Sequence, residues 1–188
     1  KEDFPGIRTE PEGDYVELKA DEFKKMIRKV IFSISNDENK YSLTGIFMEK
    51  ADGSVNLVAT DGKRLSLITR SLEELEIADE MMLVPHDGVI IPRIVLMEII
   101  KYPFDNNVIK MGFSKNQIFF SYDNIHLASN LIEGKYPEYK KIIPSERVSF
   151  LTAEKEPLIH AIKRVSILVD ESYNQIKLNI SKDKLLIS

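Results

Sequence analysis

The sequence contains no cysteine among its 188 residues. Disulfide bonds and zinc sites built on thiolates are therefore excluded. No uninterrupted apolar run reaches the length of a membrane-spanning helix, and the first residues lack the apolar core of a signal peptide. These absences favour a soluble protein, and we expect a cytoplasmic one.

Basic residues are outnumbered by acidic ones, with 26 Lys and Arg against 30 Asp and Glu and a formal net charge of -4. This balance argues against a protein that adheres to nucleic acid over its whole surface. Charge can still be segregated, with a basic face on an otherwise acidic body. With 43% hydrophobic residues, the chain can bury a substantial core.

The sequence shows no pattern that is typical of a catalytic or metal site. It has no glycine-rich phosphate loop and no nucleophile elbow, and its carboxylates lack the spacing of a calcium loop. The three histidines, His86, His126 and His160, fall in different predicted elements. His126 lies in an apolar strand and is expected to be partly buried. We expect no catalytic residue, no metal and no cofactor.

Residues 15–144 predict one α+β domain in which a unit of strand, helix and three strands is duplicated. The first copy has a strand at Tyr15 to Leu18, a helix that Asp21 is expected to cap, and three strands between Tyr41 and Arg70. Asp61-Gly62 is a strong signal for a two-residue hairpin turn within these strands. Residues 1–14, with two prolines and two glycines among acids, are expected to be a linker or the end of a preceding domain.

The second copy follows after an acidic surface loop at 71–79 and an extended segment at 81–85. Pro92 is expected at the first position of a helix that ends near Lys101. Three more strands are predicted at Val108 to Phe113, Gln117 to Tyr122 and Ile125 to Leu131.

Residues 145–188 predict the start of a further copy, which is incomplete. A strand at Val148 to Leu151 precedes a helix that begins at Thr152. Strands are then predicted at Tyr173 to Ile180 and Lys184 to Ile187.

The first and last predicted helices each carry a basic face opposite an apolar face, at the 3.6-residue period. A basic face on one amphipathic helix is most simply a solvated surface. Its recurrence in both copies favours a function. The apolar positions are Phe23, Ile27, Val30, Leu158, Ile162 and Val165, and the basic positions are Lys25, Arg28, Lys29, Lys163 and Arg164.

Two segments carry the most specific patterns. Residues 57–65 read Leu-Val-Ala-Thr-Asp-Gly-Lys-Arg-Leu, an apolar strand that runs into a tight turn. Residues 131–144 read Leu-Ile-Glu-Gly-Lys-Tyr-Pro-Glu-Tyr-Lys-Lys-Ile-Ile-Pro, a strand-like run followed by a basic loop bounded by proline. Taken singly, the first is most simply a hairpin and the second a rigid surface loop.

In this order, and with Tyr-Ser-Leu-Thr-Gly at 41–45, the two segments resemble the bacterial sliding clamp family, the beta subunit of DNA polymerase III. Lys63 stands where that family often has histidine. The resemblance extends through essentially all of residues 1–188. It implies the DNA-clamp (processivity) fold, with antiparallel sheets outside and helices on the inner face, and a non-catalytic protein.

A protomer of that family has three such domains, and two protomers close a homodimeric ring around duplex DNA. The resemblance therefore implies the end of a first domain (1–14), a complete middle domain (15–144) and the start of a third (145–188). Such a fragment is not expected to close the ring alone.

The resemblance also implies partners: the replicative polymerase, the clamp loader and repair proteins, which dock short linear peptides into an apolar pocket. The alternative is a β-rich scaffold that uses the same pocket and has no DNA role. The implied pocket residues are Leu43, Thr60, Gly62, Lys63, Arg64, Leu65, Pro137, Lys141 and Ile142. The residues implied to face DNA, without reading its sequence, are Lys25, Arg28, Lys29, Lys101, Lys163 and Arg164.

Overall fold

The computed structural model describes residues 10–11, 13–78, 84–85, 87–144, 151–168, 175–182 and 184–188. Within these residues, no helix is long and apolar enough to cross a membrane. The chain divides into two compact units, Lys1–Pro137 (unit 1) and Glu138–Ser188 (unit 2). The division comes several residues before the predicted boundary at 144, and the buried Tyr136 side chain belongs with unit 1.

Unit 1 contains the predicted unit of strand, helix and three strands twice over, so the duplication is confirmed. Its helices are α1 (Ala20–Val30) and α2 (Arg93–Lys101). Its strands are β1 (Val16–Lys19), β2 (Gly45–Ala51), β3 (Ser54–Thr60), β4 (Leu65–Ser71), β5 (Val89–Pro92), β6 (Val108–Ser114), β7 (Gln117–Tyr122) and β8 (Ile125–Asn130).

The strands form two four-stranded antiparallel sheets, in the orders β4-β3-β2-β5 and β1-β6-β7-β8. The first strand of each half joins the sheet of the other half. Val16 of β1 pairs with Met111 of β6, and Pro92 of β5 pairs with Gly45 of β2. This exchange ties the two halves into one domain.

Helices α1 and α2 pack against each other, and α1 also packs on β3 and β4. One continuous apolar cluster includes buried side chains from both helices and both sheets. Its fully buried large side chains include Phe23, Met26, Ile27, Leu57, Ile91 and Leu96. The predicted apolar face of α1 is therefore confirmed.

Two predicted helix starts are wrong. Lys19, not Asp21, is the N-cap residue of α1, and the Asp21 N–H donates to Oδ1 of Asn107 at 2.8 Å. The cap thus comes from the loop before β6. Pro92 is the last residue of β5 and the N-cap of α2, one position before the expected one.

Three further local predictions differ from the structure. Tyr41–Leu43 forms a 3₁₀ turn and not the start of a strand. The acidic loop after β4 buries Leu75 and Ile77, so it is held by apolar contacts. His126 is exposed and not partly buried, because β8 is an edge strand whose outer residues meet solvent.

Unit 2 contains a 3₁₀ turn at Tyr139–Lys141, helix α3 (Lys155–Ser166) and strands β9 (Leu178–Ser181) and β10 (Lys184–Ile187). β9 and β10 pair antiparallel. The helix begins three residues after the predicted Thr152. The predicted strand at 148–151 and the first part of the one at 173–180 lie largely outside the described residues, as do residues 81–83.

Candidate functional site

The hairpin between β3 and β4 is a rigid turn built by its own side chains. Oδ1 of Asp61 accepts hydrogen bonds from the N–H groups of Lys63 (2.9 Å) and Arg64 (3.0 Å). The Thr60 hydroxyl donates to the Arg64 carbonyl at 2.6 Å and accepts from the Gly62 N–H at 3.1 Å. Gly62 has a φ angle of +90°, which residues with a Cβ atom rarely adopt. A turn lies where Asp61-Gly62 predicts one, but the loop has four residues, 61–64, between the paired Thr60 and Leu65, so the predicted two-residue form is wrong.

Asp61 also fixes the side chain of Arg64. The two backbone N–H groups that donate hydrogen bonds to the Asp61 carboxylate lower its pKa, because they stabilise the charged form. Its Oδ2 atom lies 3.1 Å from Nε of Arg64. At neutral pH the carboxylate therefore orders both the turn and the guanidinium.

The segment from Ile34 to Leu43 lies beside this hairpin. Nζ of Lys40 donates to the Asp61 carbonyl at 3.2 Å, and the Leu43 carbonyl accepts from the Ser35 N–H at 2.9 Å. The Leu43 side chain is largely buried. Lys40 therefore adds a cation at the edge of the turn that the sequence did not suggest.

Tyr136 holds the segment before Pro137 against unit 1. Its ring stacks on Phe47 with 4.8 Å between the centroids, and its hydroxyl donates to the Val58 carbonyl at 3.4 Å. Burial raises the pKa of the Tyr136 hydroxyl to about 12. Pro137 is exposed and follows directly, so it is placed near β2 and β3.

The nine predicted pocket residues are divided between the two units. Ile142 is 66% exposed, and Lys141 forms an ion pair with Glu138. The hairpin members other than the buried Thr60 leave at least part of their surface open to solvent. Unit 1 contributes Leu43, Thr60, Gly62, Lys63, Arg64, Leu65 and Pro137, and unit 2 contributes Lys141 and Ile142.

The predicted basic residues lie on helices. In unit 1, α1 exposes Lys25, Arg28 and Lys29, and Lys101 ends the adjacent α2. In unit 2, α3 exposes two more basic residues in its last turn.

Some of these cations have partners within unit 1. Lys25 pairs with Glu22 at 2.6 Å, and Lys101 pairs with Glu98 at 2.8 Å. Nη2 of Arg28 lies 3.4 Å from the carbonyl of Ile100 in α2. The acidic partners on the same helices reduce the net positive charge of this face.

Comparison with known families is decisive. Residues 17–138 match the family described as DNA polymerase III beta subunit, central domain, and residues 140–188 match the C-terminal domain of that subunit. The chain belongs to the DNA polymerase III beta subunit family. The two matches meet where units 1 and 2 meet.

Individual relatives agree with this assignment. The chain is 33% identical over 193 residues to the beta sliding clamp of Rickettsia bellii, covering 100% of this chain and 48% of the relative. The structure of the Streptococcus pneumoniae DNA polymerase III beta chain has a TM-score of 0.85 at 27% identity, covering 99% of this chain and 48% of that one.

A sliding clamp from Bartonella birtlesii, solved bound to griselimycin, has a TM-score of 0.82 at 27% identity and covers 98% of this chain and 49% of that one. The chain spans about half the length of the curated relatives it matches.

Lys24 is a structural residue of this beta subunit chain that the sequence analysis did not single out. It is buried, and its Nζ donates to the carbonyl of Tyr102, which ends α2, and lies 4.8 Å from the Phe104 ring centroid. Burial, and then the nearby Arg28 charge, lower the pKa of Lys24. Its position between Ala20 and Ile27 on the apolar side of α1 is the signal that could have found it.

Phe32 lies outside the two motifs, and the structure places it against Arg64. The Phe32 carbonyl accepts from Nη2 of Arg64 at 2.7 Å. The ring centroid lies 5.7 Å from the guanidinium carbon.

No group of three or more histidine or acidic side chains stands ready to hold a metal within the part of the chain that the structure describes.

Proposed function

We propose that this chain is the central domain and part of the C-terminal domain of a DNA sliding clamp. In that role it encircles duplex DNA as part of a homodimeric ring and tethers the replicative polymerase without catalysing a reaction. The match of both units to successive domains of one subunit family carries the proposal. A role on a bacterial chromosome implies a cytoplasmic location.

We propose further that the hairpin Thr60 to Leu65 is part of a pocket for short linear peptides of the polymerase, the clamp loader and repair proteins. The rigid turn supports this, because a preordered site loses less entropy on binding. Leu65 supplies apolar surface for a leucine or phenylalanine anchor, and Arg64 combines an apolar stem with hydrogen-bond donors. The related clamp from Bartonella birtlesii was solved bound to griselimycin, which makes griselimycin a probe for this chain.

Binding of griselimycin to this chain tests the pocket. Titration followed by NMR is expected to shift the backbone signals of the hairpin. The variants Leu65→Ala and Arg64→Ala are each expected to weaken binding about fivefold, in the range typical of interface contacts. Ile94→Ala is the matched control, because Ile94 is 74% exposed and lies on α2, outside the hairpin and the strands that carry it. Equal affinity of all three variants and the parent would contradict the pocket.

The basic helices would contact phosphates without reading bases, as a sliding tether requires. This chain is therefore expected to bind linear duplex DNA weakly and without sequence preference, with an affinity that falls as salt increases. Fluorescence anisotropy with two unrelated duplexes, at several salt concentrations, measures all three properties. Tight, salt-resistant, sequence-specific binding would contradict the proposal.

A charge-reversal pair separates the clamp from a scaffold with no DNA role. The double variant Lys29→Glu and Lys163→Glu changes two cations on α1 and α3. The control, Lys115→Glu and Lys182→Glu, makes the same charge change in exposed turns. Selective loss of DNA binding in the first variant, with griselimycin binding intact, supports the clamp. Equal DNA binding by both variants supports the scaffold.

A further inference from the structure

We propose that Phe32 is a positioning residue for Arg64 and forms part of the ligand-binding surface at the hairpin. This inference rests on the proposed pocket and extends it to a residue outside the two motifs. Phe32 follows α1 in a 3₁₀ turn, Ile31–Ser33, and is 56% exposed. A single exposed aromatic side chain is ordinary on a protein surface, so the contacts of Phe32 with Arg64 carry the inference.

Three contacts hold the guanidinium of Arg64 in place. Nε lies 3.1 Å from Oδ2 of Asp61, and Nη2 donates to the Phe32 carbonyl at 2.7 Å. The Phe32 ring lies 5.7 Å from the guanidinium carbon, within the range of a cation–π interaction. The Phe32 carbonyl thus holds the guanidinium through Nη2, and the Phe32 ring contacts the guanidinium as well.

The turn that carries Phe32 is itself tied to β4, the strand that directly follows Arg64. The hydroxyl groups of Ser33 and Ser66 lie 2.7 Å apart and share a hydrogen bond. Ser66 is in β4, two residues after Arg64. This hydrogen bond therefore fixes the position of Phe32 relative to the hairpin.

This arrangement defines the chemistry of the ligand. Nη1 of Arg64 makes no hydrogen bond with the residues that the structure describes, so it can donate to a main-chain carbonyl or a carboxylate. The exposed Phe32 ring offers apolar surface next to that donor. The pair thus fits an extended peptide in which an acceptor oxygen lies beside an apolar side chain.

The Nε–H signal of Arg64 tests the positioning role without any ligand. In the parent chain we expect a resolved signal in a ¹⁵N correlation spectrum. Phe32→Ala removes the ring but keeps the Asp61 and main-chain contacts, so it is expected to shift this signal toward the position of a mobile arginine, and Phe32→Tyr is expected to keep it. An unchanged Arg64 signal in Phe32→Ala would overturn the positioning role, whether or not a ligand binds.

Griselimycin titration tests the binding role. Phe32→Ala is expected to weaken binding about threefold, the size of an exposed cation–π contact, while Phe32→Tyr restores it and Ile94→Ala has no effect. In an Arg64→Ala background, Phe32→Ala should change binding much less than in the parent. Full additivity of the two substitutions would overturn the inference. If Leu65→Ala and Arg64→Ala leave binding unchanged, the pocket fails, while the Arg64 signal still decides the positioning role.

Discussion

Phe47 and Tyr136 stack with their ring centroids 4.8 Å apart and their planes inclined by 8°. Phe47 lies in the middle of β2, and Tyr136 lies just before Pro137 at the end of unit 1. The stack attaches an irregular segment to a regular sheet. It thereby sets where the chain leaves unit 1.

Replacing Tyr136 tests the strength of this attachment. Tyr136→Ala is expected to lower the free energy of unfolding of unit 1 by about 3 kcal/mol, since a buried ring and its stacking partner are lost. Tyr136→Phe keeps the stack and gives up only a 3.4 Å hydrogen bond, so its cost is expected below about 1 kcal/mol. Urea denaturation followed by circular dichroism measures both. Equal stability of the two variants would show that the ring contributes little.

Gly88 sets a second limit on the position of Phe47. A Cβ atom added at Gly88 would lie 2.5 Å from the Phe47 ring, and the φ angle of Gly88 is +72°. Gly88→Ala is therefore expected to destabilise unit 1 by about 2 kcal/mol or more, from both the clash and the strained backbone. Gly53→Ala is the control, since Gly53 also has positive φ but no atom near its would-be Cβ. Equal losses in the two variants would indicate that strain alone matters.

Asn107 caps α1 from a distant loop. Two substitutions at this position separate the contribution of its side-chain hydrogen bond from that of its backbone conformation. Asn107→Ala is expected to cost about 1–2 kcal/mol, because the Asp21 N–H loses its acceptor and alanine disfavours the φ of +53° at this position. Asn107→Gly removes the same side chain without the backbone strain, so we expect a smaller loss. Urea denaturation provides the comparison. A larger loss in the glycine variant would contradict this account of the cap.

The hairpin is expected to weaken in acid through Asp61. Its folded-state pKa is lowered from 3.8, mainly by the N–H groups of Lys63 and Arg64. A lowered folded-state pKa means that the stabilisation is present above the unfolded pKa and is lost as the pH falls through the folded value.

Carbon-detected NMR titration of the Asp61 carboxyl is expected to give a midpoint below 3.8. The variant Asp61→Asn should lose the corresponding acid dependence of stability. A midpoint at or above 3.8 would mean that the turn hydrogen bonds are not maintained in solution.

Local patterns predicted much of this fold correctly. Asp61-Gly62 predicted where the turn lies, though not its length of four residues, because glycine adopts positive φ without steric cost. The order of strands and helices followed from residue periodicity. The division of the pocket motif at 131–144 was beyond such patterns. Tyr136 belongs with unit 1, where it contacts Phe47 and Val58, and Lys141 belongs with unit 2, and these distant contacts cannot be read from the motif.

The sequence by itself determined the local elements, their duplication and the family resemblance, because hydrogen bonds within turns and the periods of helices and strands depend on neighbouring residues. Only the tertiary structure decided which strands exchange between sheets, that Asn107 caps α1, and that Phe32 supports Arg64. Each of these depends on contacts between residues 30 or more positions apart, and no local pattern specifies which distant partner a polar group or a ring will meet.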